Sequence, residues 1–383
     1  MSTSSNHTIA ELEARLARLL DRGVTIVDPR QTFVGAEVDL RRIQPGAVLY
    51  PGTRIHGASS FIGTHAEVGR EGPAVLVDVA LGDQAMFASG YAEQSVLLSG
   101  ARVGANAHLR AGTLLEEHAS TAHCVGLKQT ILLAFVTLGS LINFCDCLMA
   151  GGSSRDDHSE VGSGFIHFNF TPWGERGDKA TASLIGDVVR GVFLRERRIF
   201  LGGVGGLVGP LAVGYGAIAA AGQVLRRELE EDKFALRVPR AVERPAQANW
   251  RDRMQPRLDK NVAYVAQLFA LREWYRQVRL ARVGHEDPRR PVIEAGIAAI
   301  ESGIAERRKQ LERFVVERGG VAAKFEFAPD DLPNCPWQLG PDEGEHLDWV
   351  RGLSENEIGE GQAWLAAIAE QVRTRSEDEL RPG

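Results

Sequence analysis

Cysteine is scarce in this 383-residue chain, and basic charge is not in excess. The four cysteines, Cys124, Cys145, Cys147 and Cys335, are too few and too irregular for a disulfide framework. Cys145-x-Cys147 has no second pair nearby to complete a zinc-type ligand set, so no metal is expected. A formal net charge of −6 gives no basic footprint for nucleic acid or anionic lipid, although a small anion can still find a local basic pocket. No stretch approaches the roughly 18 uncharged apolar residues of a membrane span. Residues 1–6 lack the basic and apolar regions of a secretion signal, so the expected location is cytoplasmic.

Glycine is what the chain has in abundance. Its 42 glycines exceed the roughly 7% share usual in globular proteins, whereas proline, at 16, is ordinary. The excess asks for many turns without a collagen or linker repeat. With 44% hydrophobic and 25% charged residues, the chain has the composition of a folded globular protein.

An internal period explains the turns. Ile43, Leu49, Ile55 and Phe61 are spaced by six, as are Leu97, Val103, Leu109 and Leu115, and again Leu201, Leu207, Val213, Ala219 and Leu225. Aliphatic–glycine pairs accompany them, among them Ile62-Gly63, Leu81-Gly82, Val103-Gly104, Leu138-Gly139, Val161-Gly162 and Leu201-Gly202. An aliphatic residue every sixth position fills a narrow coil, and the small neighbour permits its corner. The register slips near 70–96, 116–124 and 146–184, where loops are expected to leave the coil.

Helical patterns flank this region. Ile9, Leu12, Leu16, Leu19 and Leu20 form one stripe over 9–22, opened by a Thr8-x-x-Glu11 capping box and stopped by Gly23. Beyond residue 229, one apolar helix runs from Val262 through Trp274 towards Val283. A second carries Ile293, Ile297, Ile300, Ile304, Leu311 and Phe314, and a third covers 355–373. The expected domains are an N-terminal helix (1–23), a β-coil (24–229) and an α-helical region (230–383). One role open to the helical region is a cap closing the end of the coil.

Several segments, in order, carry a resemblance: Leu20-Asp21-Arg22-Gly23-Val24, His108-Leu109-Arg110-Ala111-Gly112-Thr113, Val125-Gly126-Leu127-Lys128-Gln129, Phe168-Asn169-Phe170 and Val213-Gly214-Tyr215-Gly216-Ala217. Over roughly residues 10–229 the chain resembles the left-handed parallel β-helix (hexapeptide-repeat) acyltransferases. Within them it looks like the acetyltransferase half of the bifunctional bacterial enzyme that makes UDP-N-acetylglucosamine. No glycine-rich nucleotide loop precedes the coil, so pyrophosphorylase activity is not expected.

The resemblance implies a homotrimeric sugar-phosphate or nucleotide-sugar acyltransferase using acetyl-CoA, with no nucleic-acid or membrane partner. Substrate and donor would meet in a cleft between coils. Arg110 and Lys128 would neutralise the phosphate. Asn143, Asp146 and Asn169 would complete the sugar side, while Gly203, Ala219 and Ala220 would line the acetyl-CoA path. The family's catalytic histidine falls on Ser140, and a serine hydroxyl cannot accept a proton near neutrality. His123, His158 and His167 are the substitutes, with His167, two residues before Asn169, the expected base. The alternative is a phosphosugar-binding sensor or scaffold that has lost its base. The polar stretch 151–179 is expected to project over the cleft. His56, His65, His118, His123, His158 and His167 lack the paired spacing of the metal-binding hexapeptide carbonic anhydrases.

Overall fold

A computed structural model describes residues 8–168, 181–236, 254–317, 327, 331–342 and 344–379. The chain begins with helix α1, Ile9–Asp21, whose capping box is formed: Glu11 N–H donates to Thr8 Oγ1 at 3.3 Å and Thr8 N–H to Glu11 Oε2 at 2.9 Å. Leu16 and Leu19 are buried against the first turn of a parallel β-solenoid.

The solenoid has three faces. The first is an eleven-stranded ladder from Thr25–Ile26 to Phe234–Ala235, and the other two form a continuous sixteen-stranded sheet. Among the described residues the strands pair in parallel and in register, so equivalent residues stack in columns. The first face sends Leu49, Val68, Phe87, Val103, Leu138, Val161 and Leu201 inward. The second sends Ile55, Leu76, Ala92, Leu109, Leu127, Phe144 and Leu207. These are the hexad positions, with one change of phase. Ile62, not Phe61, follows Ile55 into the interior, because Phe61 faces out of the third face.

Each corner needs a left-handed residue. Where a side chain closes over the next rung, glycine recurs: a Cβ on Gly57, itself left-handed, would collide with the Asp78 carboxylate. The expected slips mostly do not leave the coil. Strands at Ala74–Val77, Ala80–Leu81, Met86–Phe87 and Gly90–Glu93 carry it through 70–96, and the strand Ser120–Thr121 carries it through 116–124. Within the third, 146–184, an excursion occurs at 151–158, and a further one occurs outside the expected ranges at 187–199, which includes the short helix α2, Val188–Gly191.

The outward column of the third face is apolar: Phe61, Ala80, Val96, Leu114, Ile131 and Leu148 are all buried. Helices cover it. Helix α3, Met254–Glu273, continues as a π-helical segment, Trp274–Arg279, and antiparallel α4, Arg290–Val316, lies against the strands at 80–81, 95–97 and 113–115. Helices α5, His346–Gly352, and α6, Glu355–Glu379, complete the layer, with α6 packed along α3. The helical region therefore flanks the coil instead of capping its end, and the last coil strand reaches Ala235, past the expected boundary at 229.

Three polar anchors hold the layer down. Arg279 donates to Glu117 at 2.6 and 3.0 Å and pairs with Glu116 at 3.3 Å, all three side chains being buried. Tyr275 Oη donates to Glu116 at 2.8 Å, and Arg307 on α4 donates to Asp146 at 2.7 Å. Aromatic packing adds to these: Phe193 from the 187–199 excursion packs edge-on to Trp274 and Trp337. Among the described residues no helix is long and apolar enough to cross a membrane.

Candidate functional site

The second face is where the described residues bring cations together without counter-ions. Alternation around inward Leu109 and Leu127 turns Arg110 and Lys128 outward. They stack on adjacent rungs, Arg110 exposed and Lys128 half-buried, and Cys145 follows on the next rung. The Arg110 guanidinium reaches Cys145 Sγ at 3.9 Å. Among the described residues neither cation pairs with a carboxylate, and Glu93, one rung before Arg110, is engaged by Tyr91 Oη at 3.1 Å. The buried arginines 279, 282 and 307, by contrast, all hold carboxylates. Burial pushes the Cys145 thiol above its ordinary pKa, and nearby Asp146 pushes the same way, while Arg110 and Lys128 pull against them.

Beside this cation column runs a second outward column of Tyr91, His108, Gly126, Asn143 and Ile166. Gly126 opens a gap in it. A Cβ there would meet nothing closer than Asn143 Oδ1 at 3.4 Å. The gap is flanked by His108 and Asn143, both exposed, and edged by Arg110 and Lys128.

Ser140 sits at the corner leading into this face. Its Oγ lies 2.9 Å from Ser163 Oγ, and backbone hydrogen bonds stack His123, Ser140, Ser163 and Gly203 as one corner column. Leu141 and Val204 project from the same corner, 61% and 80% exposed, so small side chains alternate with apolar ledges. Gly203 and Ala220 are half-exposed there. Ala219 is not: it points inward on the first face and is buried, so its side chain cannot touch a ligand.

Two further expectations meet physical obstacles. His167 lies in the inward column between Phe144 and Leu207, fully buried, with Nδ1 bonded to the Cys145 carbonyl and Nε2 3.0 Å from Ser183 Oγ. Burial pulls its pKa down to about 4. With both nitrogens engaged inside the coil, it has no lone pair to offer an external amine. Asp146 is likewise taken up, buried and ion-paired with Arg307. Asn169 lies outside the described residues, as does most of the second half of the 151–179 stretch. Its first half, 151–158, folds towards another corner, where Arg155 donates to the His118 carbonyl and Thr137 Oγ1 at 3.0 Å.

The sequence reading passed over His108 and Arg307. For His108 the signal was present, because residues two apart across an inward leucine share a face. For Arg307 no local signal exists, since its partner is 161 residues away. Among the described residues no group of three or more His, Cys, Asp or Glu side chains could hold a metal.

Comparison with known proteins returns relatives named "Bifunctional protein GlmU". The Nocardia farcinica protein is 33% identical over 221 residues, 58% of this chain and 39% of its own length. The Fervidobacterium nodosum protein is 31% identical over 221 residues, covering 58% and 43%. That of Kineococcus radiotolerans is 29% identical over 223 residues, covering 58% and 40%. No protein-family model matches. The similarity thus spans more than half of this chain, which folds as a parallel β-solenoid, and the chain spans about two fifths of the relatives it matches.

Proposed function

We propose that the chain is an acyltransferase-like protein whose second solenoid face binds a phosphorylated amino sugar of the glucosamine-1-phosphate type or its nucleotide-sugar counterpart. The observation that carries this reading is the stacked pair Arg110 and Lys128, free of carboxylates among the described residues. Two adjacent cations, neither ion-paired among the described residues, favour a doubly charged phosphate, with the arginine fork and the lysine point charge sharing its oxygens. Asn143 offers an amide to a sugar hydroxyl across the gap at Gly126. Asn169 retains its proposed place on the sugar side.

Acetyl-CoA is the acyl donor in this reading. The corner of Ser140, Ser163, Gly203 and Ala220 fits an extended thioester arm, since it offers small side chains between the exposed Leu141 and Val204. One face is covered by the chain's own helices, so in the homotrimer we propose the copies meet through the other two.

Calorimetric titration with glucosamine-1-phosphate tests the anion site. Losing a charge-assisted hydrogen bond costs about 1.5–3 kcal/mol, so Arg110→Ala or Lys128→Ala should weaken binding roughly tenfold to a hundredfold. Absence of binding to the wild-type chain overturns the reading. Thiol release from acetyl-CoA in the presence of the sugar phosphate then separates an enzyme from a second possibility, a base-less phosphosugar sensor. That second reading is favoured by Ser140 at the family's base position and by the enclosure of His167. Binding without thiol release decides for it.

A further inference from the structure

We infer that His108 is the general base of this face, a catalytic residue that takes the proton from the attacking amine. The inference rests on the acyltransferase reading and adds the group that reading lacks. An acceptor base must be exposed, carry a free nitrogen and face the amine while the phosphate is held. His108 meets these demands. Its side chain is exposed, and no ring nitrogen is hydrogen-bonded among the described residues; the Tyr91 ring lies beside it at a centroid distance of 5.3 Å. It lies on the strand Ala107–Leu109 and shares an outward face with Arg110, which follows that strand directly, so the side chains stand roughly 7 Å apart in extended backbone.

The next rung holds Gly126, so nothing stands above the imidazole on the way to Lys128 and Asn143. A phosphate held by Arg110 and Lys128 therefore leaves a hexose ring to lie over Gly126, its amine directed to the His108 end of the gap. Imidazole is the side chain suited to accept a proton at ordinary pH. The other histidines of this region are less well placed. His167 has both nitrogens engaged in the interior, and His123 stands at the corner three residues before Gly126, away from the Arg110–Lys128 column.

The step balances as acyl transfer. The amine nitrogen attacks the thioester carbonyl of the acyl donor, the N–C bond forms and the C–S bond breaks. His108 takes the N–H proton, and the departing thiolate is protonated from His108 or water, giving amide and free thiol.

Thiol release with acetyl-CoA and glucosamine-1-phosphate, run across pH on the full chain, tests this. In His108→Gln, kcat should fall by a factor of 10² or more, in the range usual for lost general-base catalysis, with the sugar-phosphate Kd within about threefold of wild type. The acid limb of the kcat/KM profile should disappear, a change that a merely structural role would not produce. Loss of turnover in His123→Ala with His108→Gln unaffected overturns the assignment, as does a His108→Gln enzyme whose acid limb is unchanged. If the wild-type chain binds no sugar phosphate, the anion site itself fails; if it binds and releases no thiol, only the base assignment and the enzymatic reading fail.

Discussion

Removing Arg279 tests how the helical layer is held to the coil. Its guanidinium is enclosed between Glu116 and Glu117 of a coil corner, at 3.3 and 2.6 Å, and the side chains of Arg279 and Glu116 are each only 3% exposed. Burial pushes Glu116 above its ordinary range, Arg279 pulls it back, and the Glu117 charge pushes it up again. Arg279→Met would leave two buried carboxylates facing a thioether. Breaking a buried ion pair from one side costs about 3–5 kcal/mol, whereas replacing the whole set with neutral groups of similar shape is nearly neutral. Urea unfolding followed by tryptophan fluorescence is the assay, because Trp274, Trp337, Trp349 and Trp364 form one connected cluster in this layer. The single variant should lose several kcal/mol at pH 7.5, and Arg279→Met/Glu116→Gln/Glu117→Gln should recover most of it. The deficit of the single variant should narrow towards pH 5. There the folded variant binds a proton at Glu116 that the unfolded chain does not, so its stability rises as pH falls. A single-variant loss below about 1 kcal/mol, or a triple variant no better than the single, refutes the argument.

Other outcomes follow from the same geometry. Gly361 of α6 packs so closely that a Cβ would meet Phe193 Cζ and the Trp337 ring at 2.6 Å; Gly361→Ala should cost about 1–3 kcal/mol, and an unchanged urea midpoint would contradict it. His167 stays neutral in the fold, with its pKa lowered from 6.5 to about 4, so the unfolded chain binds a proton the native one does not. Its contribution is complete above pH 6.5 and is lost as pH falls towards 4, up to about 3 kcal/mol, since each pKa unit is worth 1.36 kcal/mol. His346, half-buried, is lowered in the same direction by desolvation and by the nearby Arg279 and Arg282, and an unfolding free energy flat between pH 7 and 4.5 would refute both.

Much of the fold was legible because a coil writes its section into the sequence every six residues. The same counting, carried further, also disposes of His167: it stands six residues after inward Val161, and Leu207 stands six after Leu201. Hexad phase placed it in the interior, and only its proximity to Asn169 made it look like a base. The covered face was legible too. Pairs such as Ala80-Leu81, Val96-Leu97, Leu114-Leu115, Ile131-Leu132 and Leu148-Met149 set an apolar residue outward beside each inward one, which a solvated face would not tolerate. What periodicity could not supply were the long-range polar pairs. Nothing local marks Glu116 and Glu117 as buried, and the resemblance put Asp146 on the sugar side; helices far along the chain bring Arg279 and Arg307 to them instead. The supposed register slips had a related cause, since rungs of unequal length still close a turn when their corners take left-handed residues such as Asp78 and Gln94.

The apolar third face also sets a schedule for biosynthesis. Its last covered rungs, at Leu148 and Leu184, are translated well before α4, which ends at Val316. At 5–20 residues per second, roughly 130 residues separate Leu184 from that point, on the order of ten seconds. During that interval a nascent coil presents a continuous greasy wall with nothing of its own to set against it. The stretch is long enough for chaperones to act there, and shortening the chain before α3 would make that exposure permanent.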